Sequence, residues 1–260
     1  MSIGLFDSGI GGISVVKILK KYFPYENIIY IADTKNFPYG KKKKKHLIYL
    51  TEKIIKFFIY NKINNIIVAC NTISSVVLPN ICNKNYMSIS GVLLPTVKYI
   101  FDNIKNGRIG IIATEATVNS NYYEKMIIKN GINSKIISVP CPELANLIES
   151  GDINSSYLKK MLKNYLTPII SNNCNYLILG CTHYSFIKSS IIEILRNKNI
   201  TIIDPAYPTI NDFKKIYHKN DNIKNIKSIC YVTGDKEKFY RTLNNIGLNN
   251  IFDEILYYKI

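Results

Sequence analysis

A chain of 260 residues with 47% hydrophobic side chains is long enough to bury one large core or two smaller ones, and too apolar to stay disordered. The formal charge of +16 comes from lysines scattered through an Ile-, Asn- and Tyr-rich background, so it reads as compositional drift, and no nucleic-acid partner is expected from it. Met1 leads directly into Ile3-Gly4-Leu5-Phe6 without a basic segment, and the longest charge-free stretch is interrupted by Asn64, Asn65, Asn71, Pro79 and Asn80, so a soluble cytoplasmic protein with no signal peptide and no membrane span is expected.

In chain order, Ile3–Phe6 reads as a strand, followed by a glycine-rich turn and a helix over Ile13–Tyr22. Ile28–Ala32 reads as a second strand. The basic block Lys41–Lys45 reads as a solvated turn and helix start, and Leu47–Tyr60 as a helix with apolar residues near a 3.6 spacing. Ile66–Cys70 is a continuous apolar run, the pattern of a strand covered on both faces. A helix over Ser74–Ile81 and a strand over Ile89–Leu93 come next. The series resumes with strand Arg108–Ala113, helix Ser120–Lys129, strand Lys135–Ser138 and helices Pro142–Glu149 and Ser156–Ser171. Strands Tyr176–Leu179 and Thr201–Asp204 follow, then a tail with strand Ser228–Val232 and helix Lys236–Asn245. This alternation predicts an α/β fold with mostly parallel sheets and helices on both faces.

The chain also echoes itself. Ile3-Gly4-Leu5-Phe6-Asp7-Ser8 resembles Ile109-Gly110-Ile111-Ile112-Ala113-Thr114, and Ile67-Val68-Ala69-Cys70-Asn71-Thr72 resembles Ile178-Leu179-Gly180-Cys181-Thr182-His183. Two pairs in the same order, each separated by roughly 110 residues, point to two α/β halves of similar topology. Each half offers a cysteine where a strand ends and a helix begins.

Ligands of open parallel sheets bind beyond the carboxyl ends of the strands. Four polar clusters stand there: Asp7-Ser8-Gly9, Cys70-Asn71-Thr72, Thr114-Glu115-Ala116-Thr117 and Cys181-Thr182-His183. A thiol at such a place faces the positive end of a helix, which favours thiolate and lowers its pKa. Cys82, Cys141, Cys174 and Cys230 read as reduced, small apolar side chains, since no export signal, CxxC or zinc spacing is present. The turn Asp7–Gly12 matches neither the dinucleotide fingerprint nor the P-loop, but its backbone N–H groups can cradle an anion. His183, two residues after Cys181, is placed to serve as its proton partner, unlike His46 and His218. Glu149 reads as a solvated carboxylate at a helix end. No metal set, Schiff-base lysine motif or cofactor fingerprint stands out, and two thiols facing one small anion site suit a proton transfer.

The ordered set of motifs resembles the glutamate racemases. It comprises Ile3 to Gly12, Asp33 with Pro38-Tyr39-Gly40, Ala69 to Thr72, Ala113-Thr114 with Thr117 and Ser120, and Cys141-Pro142-Glu143-Leu144. It continues through Glu149-Ser150-Gly151, Leu179 to Tyr184, Asp204-Pro205 and Val232 to Asp235. The resemblance implies two similar three-layer α/β domains, pseudo-symmetric, with the active site in the cleft between them. The first domain would comprise residues 1–97 and 208–260, the second 98–207. It also implies a cofactor-independent racemisation of glutamate that supplies D-glutamate for peptidoglycan, with no metal, in a homodimer. Cys70 and Cys181 would be the acid and base on opposite faces of Cα, Asp7 assisting Cys70, and His183 and Glu149 assisting Cys181. Asp7, Ser8, Tyr39, Gly40, Asn71, Thr72, Thr114, Thr117, Thr182 and His183 match positions that hold the substrate. The chain departs from the family at Ser185, where many members carry proline or another apolar residue. Three alternatives stand beside this: a racemase of another acidic amino acid such as aspartate, a Cys181–His183 acyl-transfer enzyme, and a non-catalytic basic binding protein on the same fold.

Overall fold

Alternating strands and helices build two separate parallel sheets, described in a computed structural model for residues 2–81, 88–104, 106–132, 134–217 and 226–260. Cys82 and His218 lie outside the described residues. The strands are β1 (Ser2–Asp7), β2 (Asn27–Ala32), β3 (Asn65–Val68), β4 (Ser88–Gly91), β5 (Arg108–Ala113), β6 (Lys135–Pro140), β7 (Tyr176–Gly180), β8 (Thr201–Ile203), β9 (Ser228–Val232) and β10 (Glu254–Tyr257). The helices are α1 (Ile13–Tyr22), α2 (Lys44–Tyr60), α3 (Asn71–Val76), α4 (Leu93–Asn103), α5 (Glu115–Asn119), α6 (Tyr122–Lys129), α7 (Leu144–Glu149), α8 (Ser156–Ser171), α9 (Lys188–Leu195), α10 (Ala206–Ile216) and α11 (Lys236–Asn245).

One sheet has the order β10-β9-β2-β1-β3-β4, the other β6-β5-β7-β8. The segment β2-β1-β3-β4 repeats as β6-β5-β7-β8, so the sequence echo is also a topological one. β1 corresponds to β5, and β3, which precedes Cys70, corresponds to β7, which precedes Cys181.

Each sheet is covered on both faces, and the period-two alternation of its strands decides which side chain goes where. In β1, Ile3 and Leu5 join a core with Val16 of α1, Phe213 of α10 and Leu243 of α11, while Phe6 points to Leu50, Ile54 and Phe58 of α2. In β7, Leu177 and Leu179 pack with Ile148 of α7, the α8 stripe Leu158, Leu162, Leu166 and Ile169, and Ile191 of α9. Ile178 faces the other way, with Leu93, Val97 and Ile100 of α4 and Tyr123 and Ile127 of α6. Each such fully buried aliphatic side chain contributes on the order of 1.5–3 kcal/mol of hydrophobic stabilisation.

Several expectations shift. Ser74–Ile81 is not one helix: α3 starts at Asn71, directly after Cys70, and a 3-10 turn over Leu78–Asn80 follows. Pro79 lies in that turn, where its missing N–H leaves no gap in an α-helical ladder. The helix expected over Ser120–Lys129 starts at Tyr122, as α6, because Asn121 adopts the left-handed conformation, φ 52°, and so separates it from the preceding α5. Helices α4, α5, α9 and α10 and the edge strand β10 are not among the elements expected from the sequence. Cys181 is followed by a 3-10 segment, Thr182–Ile187, before α9, so the two cysteines share a strand-end position but not the same following helix.

Candidate active site

The carboxyl ends of β1, β2, β3, β5 and β7 converge on one small cavity. Asp7, Ser8, Tyr39, Gly40, Cys70, Asn71 and Thr72 line it from the first sheet's side, and Thr114, Cys181, Thr182 and His183 from the second's. Of the residues singled out in the sequence, Glu149 and Thr117 stand one layer behind. Glu149 Oε2 pairs with His183 Nε2 at 2.7 Å, and the Thr117 hydroxyl lies 3.0 Å from that of Thr114.

Contacts from one half to the other hold the site closed. Thr182 Oγ1 donates to Asp7 Oδ2 at 2.7 Å, the Ile10 N–H donates to Glu149 Oε2 at 2.9 Å, and the Thr72 and Thr114 hydroxyls lie 3.0 Å apart. The exposed pair Lys41–Glu143 adds a surface ion pair across the same gap. The glycine turn does cradle an anion, but the anion is the protein's own. Its N–H groups at Ser8 and Ile10 bond to the carboxylates of Asp7 and Glu149. Glycine is required there by close approach. A Cβ at Gly9 would fall 2.3 Å from Glu149 Oε2, and one at Gly11 would fall 2.3 Å from Thr182 Oγ1. The Thr182 hydroxyl, directly after Cys181, is drawn across the gap to Asp7 and caps no helix.

The two cysteines sit in different electrostatic surroundings. Cys70 is the N-cap residue of α3, and the Ile73 N–H at the helix start does favour its thiolate. Burial and the negative charge of Asp7 outweigh that single bond and push the Cys70 thiol well above the ordinary range. This corrects the expectation that the helix end would lower it: one backbone donor does not repay desolvation beside a carboxylate. Cys181 Sγ lies 3.6 Å from His183 Nδ1, and the far side of the imidazole is held by Glu149. Burial works against an imidazolium here, but the bonds to Cys181 and Glu149 and the charges of both hold His183 well above the ordinary imidazole range. Glu149 is therefore not the solvated helix-end carboxylate that its neighbours in sequence implied.

A raised native pKa means that the folded state binds the His183 proton more tightly than the unfolded chain. The resulting stabilisation is complete below the unfolded imidazole value, about 6.5, and is lost as pH rises through the native value. The melting-temperature gap between the parent protein and His183→Asn should therefore narrow as pH climbs from 6 toward alkaline values. A gap of constant size across that range would contradict a protonated His183.

Other lining groups carried weaker sequence signals. Phe37, just before the Pro-Tyr-Gly motif, places its ring 5.5 Å from that of His183, and Ala145 of α7 completes the wall. Tyr39 lines the cavity while its hydroxyl donates to Asp33 Oδ2 at 2.6 Å; Thr233 Oγ1 donates to the other oxygen of Asp33, also at 2.6 Å. The tail of the chain thus props the Tyr39 loop. Tyr123, from α6, donates to Asn71 Oδ1 at 2.7 Å and had no local signal at all.

The model of the Asp/Glu/hydantoin racemase family matches residues 27–211. The chain belongs to this family. It is 32% identical to a glutamate racemase of Streptococcus thermophilus over 254 residues, spanning 98% of this chain and 92% of the relative. The crystal structure of a glutamate racemase isoform from Bacillus anthracis superposes with a TM-score of 0.89 at 29% identity, covering 100% of this chain and 97% of that one. A glutamate racemase from Francisella tularensis, solved in complex with D-glutamate, gives 0.87 at 33% identity, covering 99% and 97%. Membership makes the chain an amino-acid racemase with the fold of these structures, two sheets with parallel strands in an α/β arrangement. Among the described residues no helix is long and apolar enough to cross a membrane.

Proposed function

We propose that this protein interconverts L- and D-glutamate without a cofactor, using Cys70 and Cys181 as the two acid–base groups. The observation that carries the proposal is that two cysteines, from equivalent strand ends of two repeated sheets, line one small cavity. One sulfur, as thiolate, takes the Cα proton, and the other, as thiol, delivers a proton to the opposite face. In the reverse direction their roles exchange. Asp7 serves the Cys70 side, while His183, held by Glu149, serves the Cys181 side.

The Cα–H bond is a very weak acid, so the developing carbanion needs preorganised donors and exclusion of water. The raised pKa of Cys70 fits a resting thiol that acts first as an acid, with Asp7 ready to take its proton when the site runs the other way. The substrate's ammonium would bring a positive charge beside Asp7 and offset the repulsion that now holds the proton on Cys70. Ser8, Tyr39, Gly40, Asn71, Thr72, Thr114, Thr117, Thr182 and His183 are the residues proposed to hold the two carboxylates and the ammonium. D-Glutamate for peptidoglycan, a cytoplasmic location and a homodimer belong to the same proposal. Light scattering on the purified protein tests the last of these.

The deciding experiment is incubation of the purified protein with L-glutamate in deuterium oxide without added cofactor. Decay of the circular dichroism signal together with deuterium at Cα is expected. Turnover of aspartate in preference to glutamate would overturn the substrate assignment, and decay without deuterium at Cα would overturn the mechanism.

A further inference from the structure

Asn71 is the first residue of α3, 2% exposed, and lines the cavity. Its side-chain oxygen accepts the phenolic hydrogen of Tyr123 at 2.7 Å, but its Nδ2 group has no hydrogen-bond partner among the described residues. Buried donors are almost always paired in folded proteins, so a desolvated amide nitrogen beside a cavity is a group kept for a ligand. An amide has two nearly isosteric orientations that exchange its donor and acceptor ends. Turned over, Asn71 would present an oxygen to the cavity and repel a carboxylate. The hydroxyl bonded to the amide oxygen comes from the opposite half of the molecule, since Tyr123 lies on α6 and is 1% exposed among Leu93, Val97 and Ile127.

We infer that Tyr123 is a positioning residue: by donating to Asn71 Oδ1 it turns Asn71 Nδ2 toward the cavity, where it binds one carboxylate of the dicarboxylic substrate. This rests on the function proposed above. Burial pushes the Tyr123 hydroxyl far above the ordinary phenol range, so it keeps a proton to donate at every working pH. Because Asn71 and Tyr123 belong to different halves, the donor is aimed only when the halves are together. The substrate's carboxylate is an anion both before and during proton transfer, so the bond supports ground state and transition state alike. Its loss should appear in KM and leave kcat nearly unchanged.

The test measures D-glutamate affinity by calorimetry, alongside racemisation kinetics, for the parent protein, Tyr123→Phe, Asn71→Ala, the double variant and Asn71→Asp. Tyr123→Phe should weaken binding and raise KM on the order of ten-fold, with kcat within about three-fold. The double variant should bind no worse than Asn71→Ala alone, since Tyr123 acts through Asn71. Asn71→Asp retains the acceptor for Tyr123 but replaces the donor with a charge, and should lower affinity at least about 100-fold, with circular dichroism confirming the fold. Additive losses in the double variant, unchanged affinity in Tyr123→Phe, or wild-type affinity in Asn71→Asp would each overturn the inference. A parent protein that binds D-glutamate but does not racemise it would overturn the proposed function and leave this affinity cycle still readable. A parent protein that binds neither enantiomer would overturn both.

Discussion

Cys70→Ala and Cys181→Ala are each expected to reduce glutamate racemisation by roughly 10⁴-fold or more while leaving D-glutamate binding largely intact. In the proposed mechanism each sulfur faces one side of Cα, and neither can be replaced by its partner, which would have to act through the substrate. The loss should therefore be as deep for either single variant as for the double. Both residues are buried, small and free of disulfides, so removing a sulfur costs little folding stability compared with the catalytic loss. Steady-state rates by circular dichroism, paired with calorimetric binding, measure both quantities. If Cys181→Ala were inactive and Cys70→Ala kept wild-type turnover, a one-cysteine mechanism such as acyl transfer would replace the two-thiol one. If either alanine variant abolished binding, the residue would be holding substrate and not moving a proton.

Gly11→Ala is expected to lower kcat/KM by roughly 100-fold, although Gly11 bears no functional group. The added methyl would lie 2.3 Å from Thr182 Oγ1 and 2.5 Å from His183 Nδ1, inside any real carbon contact. Neither neighbour is free to retreat, because Thr182 is bonded to Asp7 and His183 to Glu149. Relief must come from moving the turn or parting the halves, and either displaces the Asp7 and Cys181 sides relative to each other. The overpacking should also cost about 1–3 kcal/mol of stability, read from denaturant unfolding. Gly131→Ala is the control: nothing lies within 4 Å of its added Cβ, so only the left-handed backbone, φ +77°, is strained and activity should be untouched. A Gly11→Ala enzyme with wild-type kcat/KM would show that the contact between the halves at this turn does not shape the site.

The elements that could be read from the chain are those whose local pattern and tertiary role agree. Helices Ile13–Tyr22 and Ser156–Ser171 and strand Ser228–Val232 have the bounds that their periodicity implies. In each, apolar residues recur at the spacing of the face that the core covers. Helix α10 has no clear local signal although Ala206, Ile210 and Phe213 form its buried face, because Pro205 at its N-cap and Pro208 in its first turn look like breakers when the helix start is not known. Strand β10 went unread because four residues at a sheet edge carry little pattern. Their partner, β9, is supplied by a different stretch of chain, with Ile255 opposite Cys230.

What the sequence determined by itself is the inventory: two repeated halves, a cysteine at the end of the third strand of each, and polar residues clustered behind strands, all of which depend on spacing along the chain. Its motifs also name eleven of the residues that line one cavity. Only the tertiary structure decided the electrostatics and the fit. The helix start after Cys70 favours thiolate, yet burial beside Asp7 prevails. Glu149, solvated by every local criterion, is held between the Ile10 N–H and His183, and Tyr123 reaches Asn71 from a position 52 residues further on. The reason is that pKa, desolvation and hydrogen-bond pairing depend on distances through space between groups far apart in the chain, and a pattern read at spacings of two or 3.6 residues contains none of those distances.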